Sequence, residues 1–411
     1  MKNFLHRFAL AAIVAFLVSC GHLSRLDIDP DAAAARAFAL HGDLRQEVDG
    51  LAASLVPETT PGLIVGVLEA NGRMSFFSYG FAELATGRKI DADTPFPVGS
   101  LSKGFTAALL QRAVARGDFR WDSQVGQIVT APTWNDEVRK LSLNELASHL
   151  SGMPRQPWNL RIFGDFLLFL VDGENFYQSL DRDCVEKWLA DFSRPAKSEP
   201  VYSNLGYAVL GRVIEESSGK SLDALLADEI CRPLGLTSSA YGRVAGDPVQ
   251  GYSGDQPKFM ACCKPVPPWD FPEAMKSSAA LHSSARDLLI FAREHFPGGA
   301  FADNLQVQFP RPQEAMARAW CVDSFGDDRL CYQVGFVSGF SAYLGLDAKH
   351  RNAVVVLQNS FNWQDQVGHR LLLRLARRDE ILNAAHRDGP RQRGSRCEKA
   401  GLGRGEAAEG L

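Results

Sequence analysis

Strand signals stand at both ends of this chain, and helix signals fill the middle. Residues 61–69 read PGLIVGVLE, an apolar run with buried-strand character, and Asn71-Gly72 behind it is a strong hairpin turn. Residues 74–81 (MSFFSYGF) supply the returning strand. Four more runs have strand character late in the chain, at 317–322, 330–337, 342–346 and 353–358. The stretch between them, about 103–300, is helix-rich with long irregular loops, and 363–378 carries the helical spacing of Val367, Leu371, Leu372 and Leu375. Two ends can share a sheet only if the helical middle leaves it and returns. The predicted architecture is therefore α/β of the α+β kind: an antiparallel sheet built from both chain ends, flanked by helices, with an inserted all-helical lobe. No internal repeat interrupts 46–380, which reads as one domain.

Composition narrows the function classes. Of 411 residues, 45% are hydrophobic and 22% charged, which excludes a collagenous or wholly disordered chain. Forty-four basic side chains against 48 acidic ones leave a net charge of -4, without the basic excess that nucleic-acid binding needs. No HExxH and no CxxC pair is present, so neither a zinc protease nor a zinc-ribbon site is expected, and no metal or other cofactor is called for. The absence of GxSxG removes the α/β-hydrolase nucleophile elbow.

The N-terminus reads as an export signal. Lys2, His6 and Arg7 precede an apolar run over 8–18, too short for a membrane span of about 20 residues. It ends in Leu17-Val18-Ser19-Cys20-Gly21, which resembles a bacterial lipobox. The resemblance implies cleavage after residue 19 and lipidation of Cys20. Residues 20–45 would then be anchor and spacer, holding the protein on the periplasmic side of an envelope membrane, the outer one because Gly21 is not Asp. Beyond 380 the polar, Gly/Arg-rich residues 381–411 read as a disordered tail. Seven cysteines remain after Cys20. Cys321 and Cys331 flank a turn-rich stretch between two apolar runs, and a hairpin placing them opposite each other is the expected disulfide. The vicinal Cys262-Cys263 pair reads as buried filler.

The chemistry centres on Gly99-Ser100-Leu101-Ser102-Lys103, at the mouth of a strongly helical stretch. A helix beginning at Ser100 puts Lys103 one turn on and on the same face, with the serine at the positive end of the helix dipole. A serine hydroxyl needs an adjacent base, and a desolvated lysine can be one because burial lowers its pKa. A second S-x-x-K, Ser217-Ser218-Gly219-Lys220, reads as a surface helix end. Tyr202-Ser203-Asn204 is the second candidate element: a tyrosine near a lysine cation can have a lowered pKa and act as a base, and Asn204 can hydrogen-bond Lys103 and a substrate carbonyl.

These motifs and their flanks resemble the serine β-lactamase-like hydrolases, in the branch of class C β-lactamases, low-molecular-weight penicillin-binding proteins and related esterases. TTPGLIVGVLEANGR, DTPFPVGSLSKGFTAALL, LASHLSGMPR, PVYSNLGYAVLGRVIEESSGKSLDALLADEICRPLGL and ALHSSARDLLIFA stand in that family's order, and the likeness covers about 46–376. The resemblance implies a β-lactamase/transpeptidase-like fold and acyl transfer at Ser100, with Lys103 and Tyr202 handling the proton. It places the third motif, usually K-T-G or H-x-G, at Gln333-Val334-Gly335. It also implies an oxyanion hole from the backbone N–H groups of Ser100 and Phe336. Here the sequence departs from the pattern: Gln333 stands where a cation usually meets a substrate carboxylate. A neutral amide gives up a charge-assisted hydrogen bond of about 1.5–3 kcal/mol.

The expected substrates are small-molecule or peptidoglycan-derived esters and amides, with weakened carboxylate recognition. A class C-type β-lactamase and a non-catalytic envelope binding protein keeping the fold are the alternatives. Lys349, His350 and Arg351, at the end of the neighbouring strand, are candidate replacement cations. His149 and Asp287 are read as structural. The aromatics Trp158, Phe163, Phe166, Phe169 and Phe176 are read as helix packing or the lining of a hydrophobic cleft.

Overall fold

A computed structural model describes residues 44–376, apart from 54, 131–132, 197–198, 243–247, 312–313, 326 and 363–366. The signal-like segment with Cys20, most of the spacer, the tail and Cys397 lie outside the described residues.

Both chain ends do build one sheet. Its seven strands run in the order β2-β1-β10-β9-β8-β7-β6, where β1 is Gly62–Leu68, β2 Met74–Gly80, β6 Ala315–Met316, β7 Cys321–Phe325, β8 Asp328–Val337, β9 Phe340–Asp347 and β10 Asn352–Gln358. All the pairings are antiparallel. The seam between the two ends is β1 on β10, with Val65 opposite Val356. Asn71-Gly72 makes the first turn as expected: Gly72 takes φ +83° and Leu68 faces Met74. The run at 317–322 is not one strand. β6 ends at Met316 and β7 begins at Cys321, with a turn between them in which Ala317 N–H bonds Trp320 O at 2.8 Å.

Helices cover both faces of the sheet, which is why β1, β9 and β10 are buried at every residue and read as apolar runs rather than alternating ones. Among helices of nine residues or more, α1 (Leu44–Ala52) and α7 (Val367–Ala376) pack on one face through Val48, Leu371 and Leu372. A buried ion pair, Arg374 to Glu47 at 2.9 Å, joins them. On the other face lie α2 (Ser102–Arg116) and α6 (Ala285–Arg293), where Phe105 stacks on Phe291 with centroids 3.8 Å apart. The helical lobe adds α3 (Leu160–Asp172), α4 (Arg182–Ala190) and α5 (Asn204–Ser218). A small sheet of Phe96–Pro97 (β3), Leu281–Ser283 (β5) and Ala240–Tyr241 (β4) links lobe and sheet.

The expected Cys321–Cys331 disulfide is absent, and both are free thiols. The hairpin forms, but its register sets Cys321 against Tyr332 and Val322 against Cys331. That offset of one residue sends the two side chains to opposite faces of the sheet. Cys321 packs with Leu371 and Tyr332, Cys331 with the core on the α2 side. Cys262 is exposed and Cys263 half-buried, so that pair is not buried filler.

Candidate active site

The site is assembled where α2, α5 and β8 meet. The extended segment ending at Val98 breaks at Gly99, whose φ of +52° a side chain disfavours. A 3-10 turn over Gly99–Leu101 follows, so the α-helix starts at Ser102 and Ser100 stands just ahead of it. Lys103 is still one turn on. Tyr202 and Asn204 flank the N-cap of α5, Ser203, whose side chain accepts the Gly206 N–H at 2.8 Å. The second S-x-x-K is a helix end: Gly219 caps α5 at φ +69°, and Lys220 reaches Asp228 at 3.2 Å.

Ser100, Lys103, Tyr202 and Asn204 converge into one network. Lys103 Nζ lies 3.2 Å from Ser100 Oγ, 2.8 Å from Asn204 Oδ1 and 2.8 Å from the Ser278 carbonyl oxygen. Tyr202 OH lies 2.5 Å from the same Ser100 Oγ. Asn204 Nδ2 donates to Tyr177 OH at 2.9 Å, and Tyr177 donates to Gln156 Oε1 at 3.2 Å, which orients the Asn204 amide. Burial, aided by the Arg155 charge, holds the Lys103 pKa well below the ordinary lysine value. Burial pushes the Tyr202 phenol up, and the Arg155 guanidinium opposes this without reversing it. The direction for Tyr202 is thus opposite to the lowering expected of a tyrosine beside a lysine cation, because desolvation outweighs the neighbouring charge.

Three acceptors surround Lys103 Nζ, which an ammonium satisfies with three donors; the lowered pKa favours the neutral amine instead. An amine carries two N–H donors and one lone pair. Asn204 Oδ1 and the Ser278 carbonyl, neither able to donate, take the two donors. The lone pair is left facing Ser100, whose own proton has Lys103 to go to while its oxygen accepts from Tyr202.

On the β8 side, Gly335 and Gly99 permit a backbone approach that a side chain would block. A Cβ on Gly335 would sit 2.0 Å from the Val98 carbonyl oxygen, and one on Gly99 3.0 Å from Phe336 N. Phe336, the expected second oxyanion donor, is thereby held beside the Ser100 turn. Gln333 is 5% exposed, and its amide packs on α2, 2.6 Å from where a Gly104 Cβ would be. Its Nε2 has no hydrogen-bond partner among the described residues. The candidate replacement cations are elsewhere. Lys349 bonds Asp328 at 2.8 Å and His350 bonds Asp347 at 2.7 Å. They sit in the β9–β10 turn, near the Leu330–Asp347 pairing, six residues along β8 from Phe336. At about 3.3 Å per residue, that is roughly 20 Å away.

His149 and Asp287 are structural in the geometry. His149 is buried at φ +61°, accepts the Ser203 N–H at 3.1 Å and packs on Tyr202 with centroids 4.6 Å apart, fixing the 202–204 segment. Asp287 accepts from Ser238 N–H and Ser239 Oγ, each at 2.8 Å. Phe166, Phe169 and Phe176 form a ring-to-ring cluster with Trp269 and Phe361, and Phe361 stacks on Phe336 at 5.3 Å. Three participants escaped the sequence reading. The Ser278 contact is a backbone carbonyl, which no residue type announces. Tyr177 lies in an irregular loop. Arg155 is the last residue of the LASHLSGMPR segment, where an arginine has no chemical pattern around it in sequence.

A family model described as Beta-lactamase matches residues 48–378. The chain belongs to the beta-lactamase family. Members of this family are serine hydrolases, and this enzyme is one by descent and fold. It is 28% identical to Penicillin-binding protein 4 of Amycolatopsis lactamdurans over 282 residues, 64% of this chain and 68% of that one. It is 26% identical to a D-aminopeptidase of Brucella anthropi over 197 residues, 47% of this chain and 36% of that one. The class C beta lactamase of Rhodobacter sphaeroides shares the fold, with a TM-score of 0.67 at 21% identity over 82% of this chain and 99% of that one.

Proposed function

We propose that this beta-lactamase-family enzyme hydrolyses ester or amide bonds through an acyl-enzyme on Ser100, in the manner of an esterase or a D-amino-acid peptidase. The observation that carries this reading is the Ser100 hydroxyl held between Lys103 Nζ and Tyr202 OH. Ser100 Oγ attacks the substrate carbonyl carbon and its proton passes to the neutral Lys103 amine. The carbonyl oxygen, now negative, is received by the backbone N–H groups of Ser100 and Phe336, each such donor typically worth roughly 10²–10³-fold in kcat. Tyr202 stays protonated, bonded to Oγ, and relays the proton to the departing amine or alkoxide. Water then adds to the acyl-enzyme, giving its proton back through the same groups, and releases the acid. Asn204 holds Lys103 in place and is available to a substrate carbonyl. Gln333 supports the expectation of weakened carboxylate recognition on the β8 side, since its amide is neutral and packed against α2.

Labelling tests the reading. A fluorophosphonate or a penicillin probe should add one adduct to Ser100 in the folded protein, seen by peptide mass spectrometry, and Ser100→Ala should abolish it. No adduct from either probe would overturn the acyl-enzyme role. The lipobox-like 17–21 segment supports a second part of the reading, in which Cys20 is lipidated and tethers the enzyme in the envelope. Palmitate incorporation that disappears in Cys20→Ala checks it.

A further inference from the structure

We propose that the outward face of α3 docks on the surface of a phospholipid membrane and sinks its apolar side chains into the headgroup layer. This goes beyond the acyl-enzyme reading, and it rests on the Cys20 reading only for what brings the membrane within reach.

α3 is apolar nearly all the way round. Of its thirteen residues only Arg161, Asp165 and Asp172 are charged. The inner face is taken up by packing: Ile162 and Phe169 are buried, and Phe166 and Phe169 belong to the ring cluster that runs through Phe361 to Phe336. At 3.6 residues per turn, Leu160, Leu167, Leu168 and Val171 fall within an arc of about 100° on the opposite side. All four are exposed, Leu160 at 91%. Phe259, 73% exposed, extends the patch, because its N–H donates to the Leu170 carbonyl oxygen at 3.0 Å and holds it beside the last turn of the helix. An ordinary surface helix turns polar side chains outward there, and a group of large exposed apolar ones marks an interaction surface.

Length, charge and reach select a membrane as the partner. Thirteen residues rise about 20 Å, short of a hydrocarbon core of about 30 Å, so α3 fits in the plane of an interface and not across a bilayer. The neighbours of the two most exposed residues are exposed cations, Arg161 beside Leu160 and Lys258 beside Phe259, which suits phosphate headgroups. Asp172, beside Val171, accepts the Glu174 N–H at 3.1 Å. Leu44, where the described chain begins, stands 24 positions after the lipobox-like Cys20. A chain of that length reaches up to roughly 80 Å, beyond the width of roughly 50 Å of a domain this size. A lipid on Cys20 therefore leaves α3 free to face the bilayer and makes its contact an intramolecular one, at raised effective concentration. Docked in this way, the lobe side of the cleft lies at the membrane, since the helix that meets lipid outside packs the ring cluster inside.

The test uses the full chain carrying Cys20→Ala, Leu10→Asp and Val14→Asp, so that neither a lipid nor residues 8–18 hold it to vesicles. Its co-flotation with phosphatidylethanolamine–phosphatidylglycerol vesicles is compared with that of the same chain bearing Leu160→Gln, Val171→Gln and Phe259→Ser. The parent should float with the vesicles, and the triple variant should lower the partition coefficient roughly tenfold or more. Arg161→Gln with Lys258→Gln should lower it about threefold or more and weaken its salt dependence. None of these side chains touches the network around Ser100, so p-nitrophenyl butyrate hydrolysis and the melting temperature should stay at the parent's values, which separates lost docking from lost folding. A parent that does not float overturns the proposal, and so does a triple variant within twofold of it. A parent that sediments as a dimer which the triple variant disperses gives this face to a second copy, and overturns the proposal too. Because Cys20 is replaced in every arm and flotation needs no turnover, a failure of lipidation or of Ser100 acylation is read separately.

Discussion

The protonation logic of this enzyme lies in single side chains. Lys103 is a base only while neutral, and burial favours that form by holding its pKa well below the ordinary lysine value. Acylation should therefore fall as pH drops through the lowered Lys103 pKa, because protonation removes the lone pair facing Ser100. Lys103→Arg puts a permanent cation there that cannot deprotonate near neutrality, so it should lose roughly 10²-fold or more in acylation rate at every pH, measured with a fluorogenic ester. Gln333 tests the opposite kind of change. In Gln333→Lys, a charge enters a buried position beside α2, where the Gln333 Nε2 already has no partner among the described residues. That variant should lower the melting temperature by several degrees, about 1–3 kcal/mol, and gain nothing on nitrocefin. Residues 100, 103, 202 and 204 were legible in sequence as candidates because their motifs match the family pattern and acyl transfer calls for such groups. The directions of their pKa values were not, since burial outweighs the charge of a neighbour and burial belongs to the fold.

Elements turn those residues toward each other. Gly99 bends the chain so that Ser100 stands in a 3-10 turn ahead of α2, and Gly335 lets β8 close on that turn. In Gly335→Ala, a methyl placed 2.0 Å from the Val98 carbonyl must push two backbones apart. We expect a fall in melting temperature and at least a tenfold loss of Ser100 acylation, while Gly72→Ala, with open space around its Cβ position, should leave acylation intact. Strands and helices were read from sequence close to their true bounds where patterning was long, as in β1, β2 and β10. The 317–322 run misled because its apolar residues continue through a turn: Ala317 and Trp320 are as buried as a strand's residues, though they pack from a bend. The Cys321–Cys331 pairing failed for a related reason. Turn composition announces a hairpin, but register decides which face each side chain takes, and a shift of one residue reverses it.

At the scale of the whole molecule, the two chain ends must close on each other before a site exists. The β1–β10 seam joins residues nearly 300 positions apart, and α1 and α7 seal its outer face with the Glu47–Arg374 pair, each 4% exposed at the side chain. Glu47→Ala leaves a buried guanidinium without that carboxylate, and should cost about 3–5 kcal/mol, read as a lowered denaturant midpoint with an unchanged m-value. The sequence by itself determined that strands come from both ends and that a helical lobe lies between them, because periodicity is a local property of the chain, and its motifs, through the family they resemble, marked Ser100, Lys103, Tyr202 and Asn204 as the candidates for the chemistry. Tertiary structure alone decided that burial lowers the Lys103 pKa, that the Ser278 carbonyl and Tyr177 complete its network, that the two cysteines face apart, and that Arg155 rather than a cation on β8 stands beside Tyr202. Each of these depends on what lies across space from a residue, and no spacing along the chain encodes that distance.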